Sequence, residues 1–258
     1  MSNPNTKHGV VVFDFDGVIG DSVYECYVQS LKAAKDLGMK LQHSTVVEKQ
    51  FREARPLITK ADHFFTVVRL MEQNPKINFN HITQDQMNAA FKADAEKSKA
   101  FLEKFYAHRK EMQAISPREW TALNKSFPKV ARFIRDVKRR SHVYIATTKD
   151  RKSVLELLAR YGIAIPEKNI VAVDFSKDKR EQLKEVSRLS GTPLNKMVLV
   201  EDAVEQIKAA RELGVKGMLY PRGYSSATQK KWARKEKVPF VEFKKKREVR
   251  KLTRVARR

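Results

Sequence analysis

The chain has 258 residues, 41% of them hydrophobic, which is enough for one large domain or for a core carrying a substantial insertion. Its formal net charge is +23, and its one cysteine, Cys26, excludes an internal disulfide and points to a reducing compartment, the cytoplasm. Residues 1–9 are polar, and the apolar run after them is too short for a signal peptide or a membrane span, so no membrane-spanning segment is expected.

The first element is Val10-Val11-Val12-Phe13, four apolar residues that read as a short buried strand. It runs directly into Asp14-Phe15-Asp16-Gly17-Val18. Strand residues alternate faces, so the carboxylates of Asp14 and Asp16 fall on the same side of the strand's carboxyl end. That end is where open α/β sheets place their ligands. Two close carboxylates repel each other unless a cation lies between them, and an all-oxygen donor set suits Mg²⁺.

From Ile19 to about Ile115 the chain is rich in Lys, Glu, Gln, Phe, Met and Ala and poor in glycine. Apolar residues recur at helical spacing over residues 27–37, 64–71 and 87–106, with breaks near Gly38, Pro56 and Asn74-Pro75. Residues 21–115 therefore read as an all-helical insertion, with re-entry into the main domain at Ser116-Pro117. The domain division expected is 1–20 and 116–258 for an α/β core and 21–115 for a helical domain.

After Pro128 the texture changes. Helices are expected over residues 129–140, 151–161, 179–189 and 203–213, and strands over 142–146, 170–173, 197–200, 217–220 and 238–243. This alternation implies an α/β fold with a doubly wound, mostly parallel, Rossmann-like sheet covered on both faces. Polar residues follow three of the strands: Asp14 with Asp16, Thr147, and Glu201-Asp202. Lys179 opens the helix before the last of these. In such a sheet these positions converge on one crevice, combining carboxylates for a cation and a nucleophile with a hydroxyl and an ammonium for phosphoryl oxygens.

In these motifs the chain resembles the haloacid dehalogenase superfamily of phosphohydrolases, over about residues 9–22 and 127–219. Asp14 through Val18 match that family's first motif, Thr147 its second, Lys179 (with Lys177 as the alternative) its third, and Glu201-Asp202 its fourth. Many members have an acid four residues after the last aspartate, where this chain has Gln206; others carry Glu-Asp and no further acid. Glu201 and Glu205 are both left as candidates to assist the metal.

The resemblance implies a phosphatase whose nucleophile is Asp14 and whose general acid and base is Asp16. It also implies Mg²⁺ held by Asp14, Asp202 and the Asp16 main-chain carbonyl, phosphoryl contacts from Thr147 and Lys179, and a helical cap in the insertion. Dehalogenation is disfavoured because Asp16 is present. Sugar-phosphate mutase chemistry is disfavoured because Cys26 stands where such enzymes have a histidine.

The expected substrate is a small phosphorylated metabolite, with Arg52, Arg55 and Thr148 as candidates to bind it. Arg52 and Arg55 belong, with Lys60 and His63, to a polar cluster around Pro56; His63 itself reads as packed. The remaining signal is the basic tail, about residues 228–258. It has fourteen Lys or Arg against Glu236, Glu242 and Glu248, a net +11 of the total +23. Such a tail reads either as a solvated helix face or as a surface for nucleic acid or another polyanion. The second function class is thus a nucleic-acid-associated protein or, combining the two, a phosphatase of polynucleotide ends.

Overall fold

In the computed structural model, which describes residues 9–244 and 246–256, the chain divides into two compact units. One runs up to Asp21 and resumes at Lys125; the other is Ser22–Asn124. The polar N-terminal residues 1–8 and, in the basic tail, Lys245, Arg257 and Arg258 lie outside the described residues.

The first unit is built on β1 (Val10–Phe13), which lies at the centre of a five-stranded parallel sheet. On one side it pairs with β4 (His142–Ala146), beyond which lies β5 (Ile170–Val171). On the other side it pairs with β6 (Met197–Glu201), beyond which lies β7 (Lys216–Leu219). All four residues of β1 are fully buried, because helices cover both faces of a parallel sheet. On one face Val10, Val12, Tyr144 and Leu199 pack against Leu183 and Val186 of α9 (Lys179–Ser190) and Ala210 of α10 (Val204–Glu212). On the other, Phe13 meets Phe133 of α7 (Val130–Lys138) edge-on at 6.5 Å, and Phe243 stacks on Tyr220 at 4.4 Å. The chain winds outward through β4 and β5 and returns through β6 to the opposite side of β1. The carboxyl ends of β1 and β6 therefore flank the point where the winding reverses, the place such sheets offer to ligands.

A two-stranded antiparallel ribbon, β2 (Gly20–Asp21) and β3 (Lys125–Ser126), joins the two points where the chain leaves and re-enters this unit. The basic tail is part of the fold. Its helix α12 (Lys246–Val255) buries Val249, Leu252 and Thr253 and packs on α7 and β1.

The second unit is helical: α1 (Val23–Asp36), α2 (Thr45–Ala54), α3 (His63–Gln73), α4 (Gln84–Ala93), α5 (Lys97–Ile115) and α6 (Pro117–Leu123), with short 3₁₀ turns between. Its core is a relay of rings in which Tyr27–Phe51, Phe51–Phe64 and Phe64–Phe105 lie 5.4–5.5 Å apart. Beside it Arg109 donates to both oxygens of the fully buried Glu25, at 2.8 and 2.6 Å. Cys26 is buried next to this pair.

Four local expectations differ from the structure. Ser116-Pro117 does not mark re-entry: proline suits the first turn of a helix, and here it opens α6. Trp120 of that helix is fully buried with its Nε1 3.4 Å from Glu25, which holds residues up to Asn124 in the helical unit. The helix expected over 87–106 is two helices, broken where the buried Asp94 accepts from Arg69 at 2.9 Å. The strand expected over 170–173 pairs only through Ile170–Val171. The strand expected over 238–243 is reduced to a single bridge, Leu219 to Phe240. Pro239 has no N–H to donate, and Lys237 and Phe243 have positive φ (53° and 60°), so the segment cannot extend the ladder. Among the described residues no helix is long and apolar enough to cross a membrane.

Candidate active site

Asp14 is the first residue past β1, held by its N–H to the Val200 carbonyl of β6 at 2.9 Å. β6 itself ends in Glu201, followed by Asp202. The two strand ends therefore bring three buried acids, Asp14, Glu201 and Asp202, to within 4.8 Å of one another through one oxygen each. Lys179, the first residue of α9 and 3% exposed, extends into this group. Its Nζ donates to Asp14 Oδ1 at 2.8 Å and to the Ala146 carbonyl at 2.6 Å, and lies 3.4 Å from Glu201 Oε2. Lys177 is exposed, so the ammonium of this cluster is that of Lys179.

One ammonium among three carboxylates leaves an excess of buried negative charge. Burial, and then the charge of Glu201, push the Asp14 carboxyl up to about 7, against the pull of Lys179. Burial pushes Glu201 up to about 7 in the same way, with Lys179 opposing. Burial works against the charge on Lys179, but the carboxylates of Asp14 and Glu201 outweigh it and hold the ammonium above its ordinary range. A divalent cation among the oxygens would relieve the excess, and an all-carboxylate donor set fits a hard one.

Around this centre the remaining positions are fixed by short local bonds. Thr147, at the end of β4, is 1% exposed; its Oγ1 accepts the Lys149 N–H at 3.1 Å, which leaves its own hydroxyl proton for donation. Gln182, one turn along α9 from Lys179, donates to the carbonyls of Thr147 and Ser176, both at 2.7 Å. Asp16 does not join the acidic cluster through its carboxylate. That group faces the buried Lys149, with Nζ 3.4 Å from Oδ1.

Asp202 is positioned by a loop that the motifs do not include. The Tyr224 N–H donates to Asp202 Oδ2 at 2.6 Å, and Ser225 Oγ donates to the Asp202 carbonyl at 2.7 Å. This approach needs glycine on both sides. A Cβ at Gly223 would stand 2.2 Å from the Gly17 carbonyl and 2.5 Å from Asp202 Cβ; one at Gly17, where φ is +90°, would stand 2.3 Å from Asp202 Oδ2.

The structure thus brings together Asp14, Thr147, Lys179 and Asp202, with Asp16 beside them through Lys149. Thr148 is exposed, and Glu205 is exposed and paired with Lys208 at 2.8 Å, leaving Glu201 as the second acid of the cluster. Arg52 and Arg55 lie in the helical unit, Arg52 exposed and Arg55 donating to the Ile58 carbonyl at 3.0 Å. His63 is packed, stacked on Phe91 with ring centroids 3.4 Å apart, and burial pushes its imidazole down to about 4. Lys149, Gln182, Gly223, Tyr224 and Ser225 were not singled out from sequence. For Lys149 and Gln182 the signal existed: one stands two residues after Thr147, the other three after Lys179 on one helix face.

Residues 8–214 match the family model of haloacid dehalogenase-like hydrolases, which spans both units. The chain belongs to that family. Solved structures share the fold. A predicted phosphoglycolate phosphatase from Haemophilus somnus superposes with a TM-score of 0.62 at 17% identity, over 92% of this chain and 95% of its own. A predicted phosphatase from Clostridium acetobutylicum gives 0.60 at 13%, over 88% and 90%. A haloacid dehalogenase-like hydrolase from Streptococcus pneumoniae gives 0.59 at 13%, over 91% and 93%. At these identities the likeness is one of fold. No curated protein matches the sequence of this haloacid dehalogenase-like hydrolase.

Proposed function

We propose that this hydrolase is a Mg²⁺-dependent phosphomonoesterase acting through an aspartyl-phosphate on a small phosphorylated metabolite in the cytoplasm, its helical unit serving as a cap. The observation that carries the reading is the cluster at the ends of β1 and β6: a buried aspartate gripped by a buried lysine and faced by two further buried acids. The phosphatase names attached to similar folds point the same way.

In this reading Asp14 attacks the phosphorus in line, and the ester P–O bond breaks as the Asp14–phosphorus bond forms. A carboxylate is a weak nucleophile, so position and charge must supply most of the acceleration. Lys179, holding Asp14 Oδ1 at 2.8 Å, fixes the rotation of that carboxylate and offsets the charge gathering around it. Thr147 donates its hydroxyl proton to a phosphoryl oxygen. Asp16 gives a proton to the leaving oxygen and then takes one from the water that hydrolyses the aspartyl-phosphate, a role worth about 10²–10⁴-fold. Lys149, 3.4 Å from Asp16, holds it in place for both transfers. Asp14, Glu201 and Asp202 would hold the Mg²⁺, with the Asp16 carbonyl. Bound there, the ion supplies positive charge to the phosphoryl oxygens and to the carboxylates themselves.

The test is phosphate release from a panel of phosphomonoesters (phosphoglycolate, sugar phosphates, nucleotides and a 3′-phosphorylated oligonucleotide) with and without Mg²⁺. The expected result is turnover of at least one small ester that is lost in Asp14→Asn and on chelation. Turnover that survives Asp14→Asn would overturn the proposal.

A further inference from the structure

The core uses one face of α12 and leaves the other exposed. Val249, Leu252, Thr253 and Ala256 are buried, whereas Arg247, Arg250, Lys251 and Arg254 are exposed. Spacings of three and four place these four cations on one stripe of the helix, opposite the buried residues. They line, with Arg140 just past α7 and with Phe240, a groove of about 760 Å³. Glu248 is the acid of that groove, and its two oxygens accept the N–H groups of Glu242 and Lys244 at 3.0 and 2.8 Å. Among the described ion pairs none involves Arg247, Arg250, Lys251 or Arg254. A second hollow beside it is lined by Arg139, Arg140, Lys246 and Arg250 with Val249 and Asp136, the last paired with Arg139 at 3.2 Å, so its lining is net positive.

We propose that the α12 groove is a binding surface for single-stranded nucleic acid, independent of the phosphatase site. Four observations select this occupant. The cations are mostly guanidiniums, whose planar fork suits phosphate oxygens. Along α12 the stripe from Arg247 to Arg254 runs about 10 Å, long enough for successive phosphates of a strand. Phe240, half-buried and with the Arg234 guanidinium 5.5 Å from its ring centroid, also lines the groove, and aromatic side chains are what sequence-tolerant single-strand sites stack bases on. A membrane surface is the poorer occupant, because the apolar face of α12 is already spent on α7 and β1 and offers nothing to insert.

Binding through phosphate neutralisation has a defined salt signature, a slope of about −0.7 in log K against log [salt] for each single-strand phosphate contacted. Three to four contacts give a slope of about −2 to −3. The experiment is fluorescence anisotropy of a labelled single-stranded RNA against the full chain over a series of salt concentrations. It compares wild type, Arg250→Gln/Arg254→Gln, and a charge-matched control, Lys92→Gln/Lys97→Gln, on exposed positions of α4 and α5. The groove variant should lose about 1.4 from the slope and about 25-fold in affinity near 0.1 M salt, while the control stays within about twofold of wild type. Turnover of a small phosphomonoester should be the same in all three, so a failed phosphatase reading leaves this test intact. Equal losses in both variants would reduce the binding to general charge and overturn the proposal. So would the absence of binding, or equal binding by a polyglutamate peptide or by anionic phosphatidylserine vesicles. Unchanged melting temperatures of both variants show that the fold survives the substitutions.

Discussion

Glu201 is buried beside Asp14 and Asp202 and carries a carboxyl raised to about 7, so its ionisation opposes folding of the metal-free protein. The folded state keeps a proton that the unfolded state releases near 4.5, the ordinary value. Stability contributed by this group is therefore complete below about pH 4.5 and falls as pH rises to about 7, reaching a constant penalty above that. At about 1.36 kcal/mol per unit, the penalty at about pH 8 is roughly 3 kcal/mol. Glu201→Gln removes the charge and keeps the oxygen that accepts the N–H groups of Asp202 and Ala203 at 3.0 and 3.2 Å. In chelator the variant should match wild type near about pH 5 and melt about 6–10 °C higher near about pH 8, since the raised value already includes the pull of Lys179. Millimolar Mg²⁺ should then raise the wild-type melting temperature more than that of the variant. Thermal unfolding by circular dichroism at both pH values, with and without Mg²⁺, measures all of this. A variant less stable than wild type near about pH 8 in chelator, or one stabilised equally by Mg²⁺, would refute the reasoning.

Lys149→Met removes the partner of Asp16 at 3.4 Å; kcat should fall about 10- to 100-fold with KM little changed, as steady-state kinetics would show. Gly223→Ala places a Cβ 2.2 Å from the Gly17 carbonyl and 2.5 Å from Asp202 Cβ, so the loop must move; Mg²⁺ affinity, read by calorimetry, should weaken at least about tenfold. Arg109→Met strands the fully buried Glu25 in the helical unit and should cost about 3–5 kcal/mol in chemical denaturation. Adding Glu25→Gln should recover much of that loss.

The parts of the site visible in sequence were those that a strand end dictates. Val10 to Phe13 forms a strand because nothing polar interrupts it, and the residues after it must then face the crevice. The same logic placed Thr147 after β4 and Asp202 after β6. Lys179 followed from its order in the chain, and its burial distinguishes it from Lys177, two residues earlier and exposed. The loop of Gly223, Tyr224 and Ser225 was invisible because one of its two bonds to Asp202 comes from a backbone N–H, which any residue type but proline supplies, and the other from a lone serine hydroxyl outside the recognised motifs. The end of the helical unit was placed at residue 115 in place of Asn124 because proline opens helices as well as ending them, and only the burial of Trp120 decides which. In the basic tail, Val249, Leu252 and Val255 recur at helical spacing, and the structure forms that helix as α12, with Val249 and Leu252 buried against the core and Val255 half-buried.

The most direct measurement is acid-quenched trapping of the phosphoryl group, with peptide mass spectrometry of the protein caught during turnover of its preferred phosphomonoester. The account predicts a phosphoryl increment on the peptide containing Asp14, absent in Asp14→Asn and accumulating when Asp16→Asn slows the second step. A turning-over enzyme that never carries phosphorus on Asp14, or carries it on another side chain, would contradict the account.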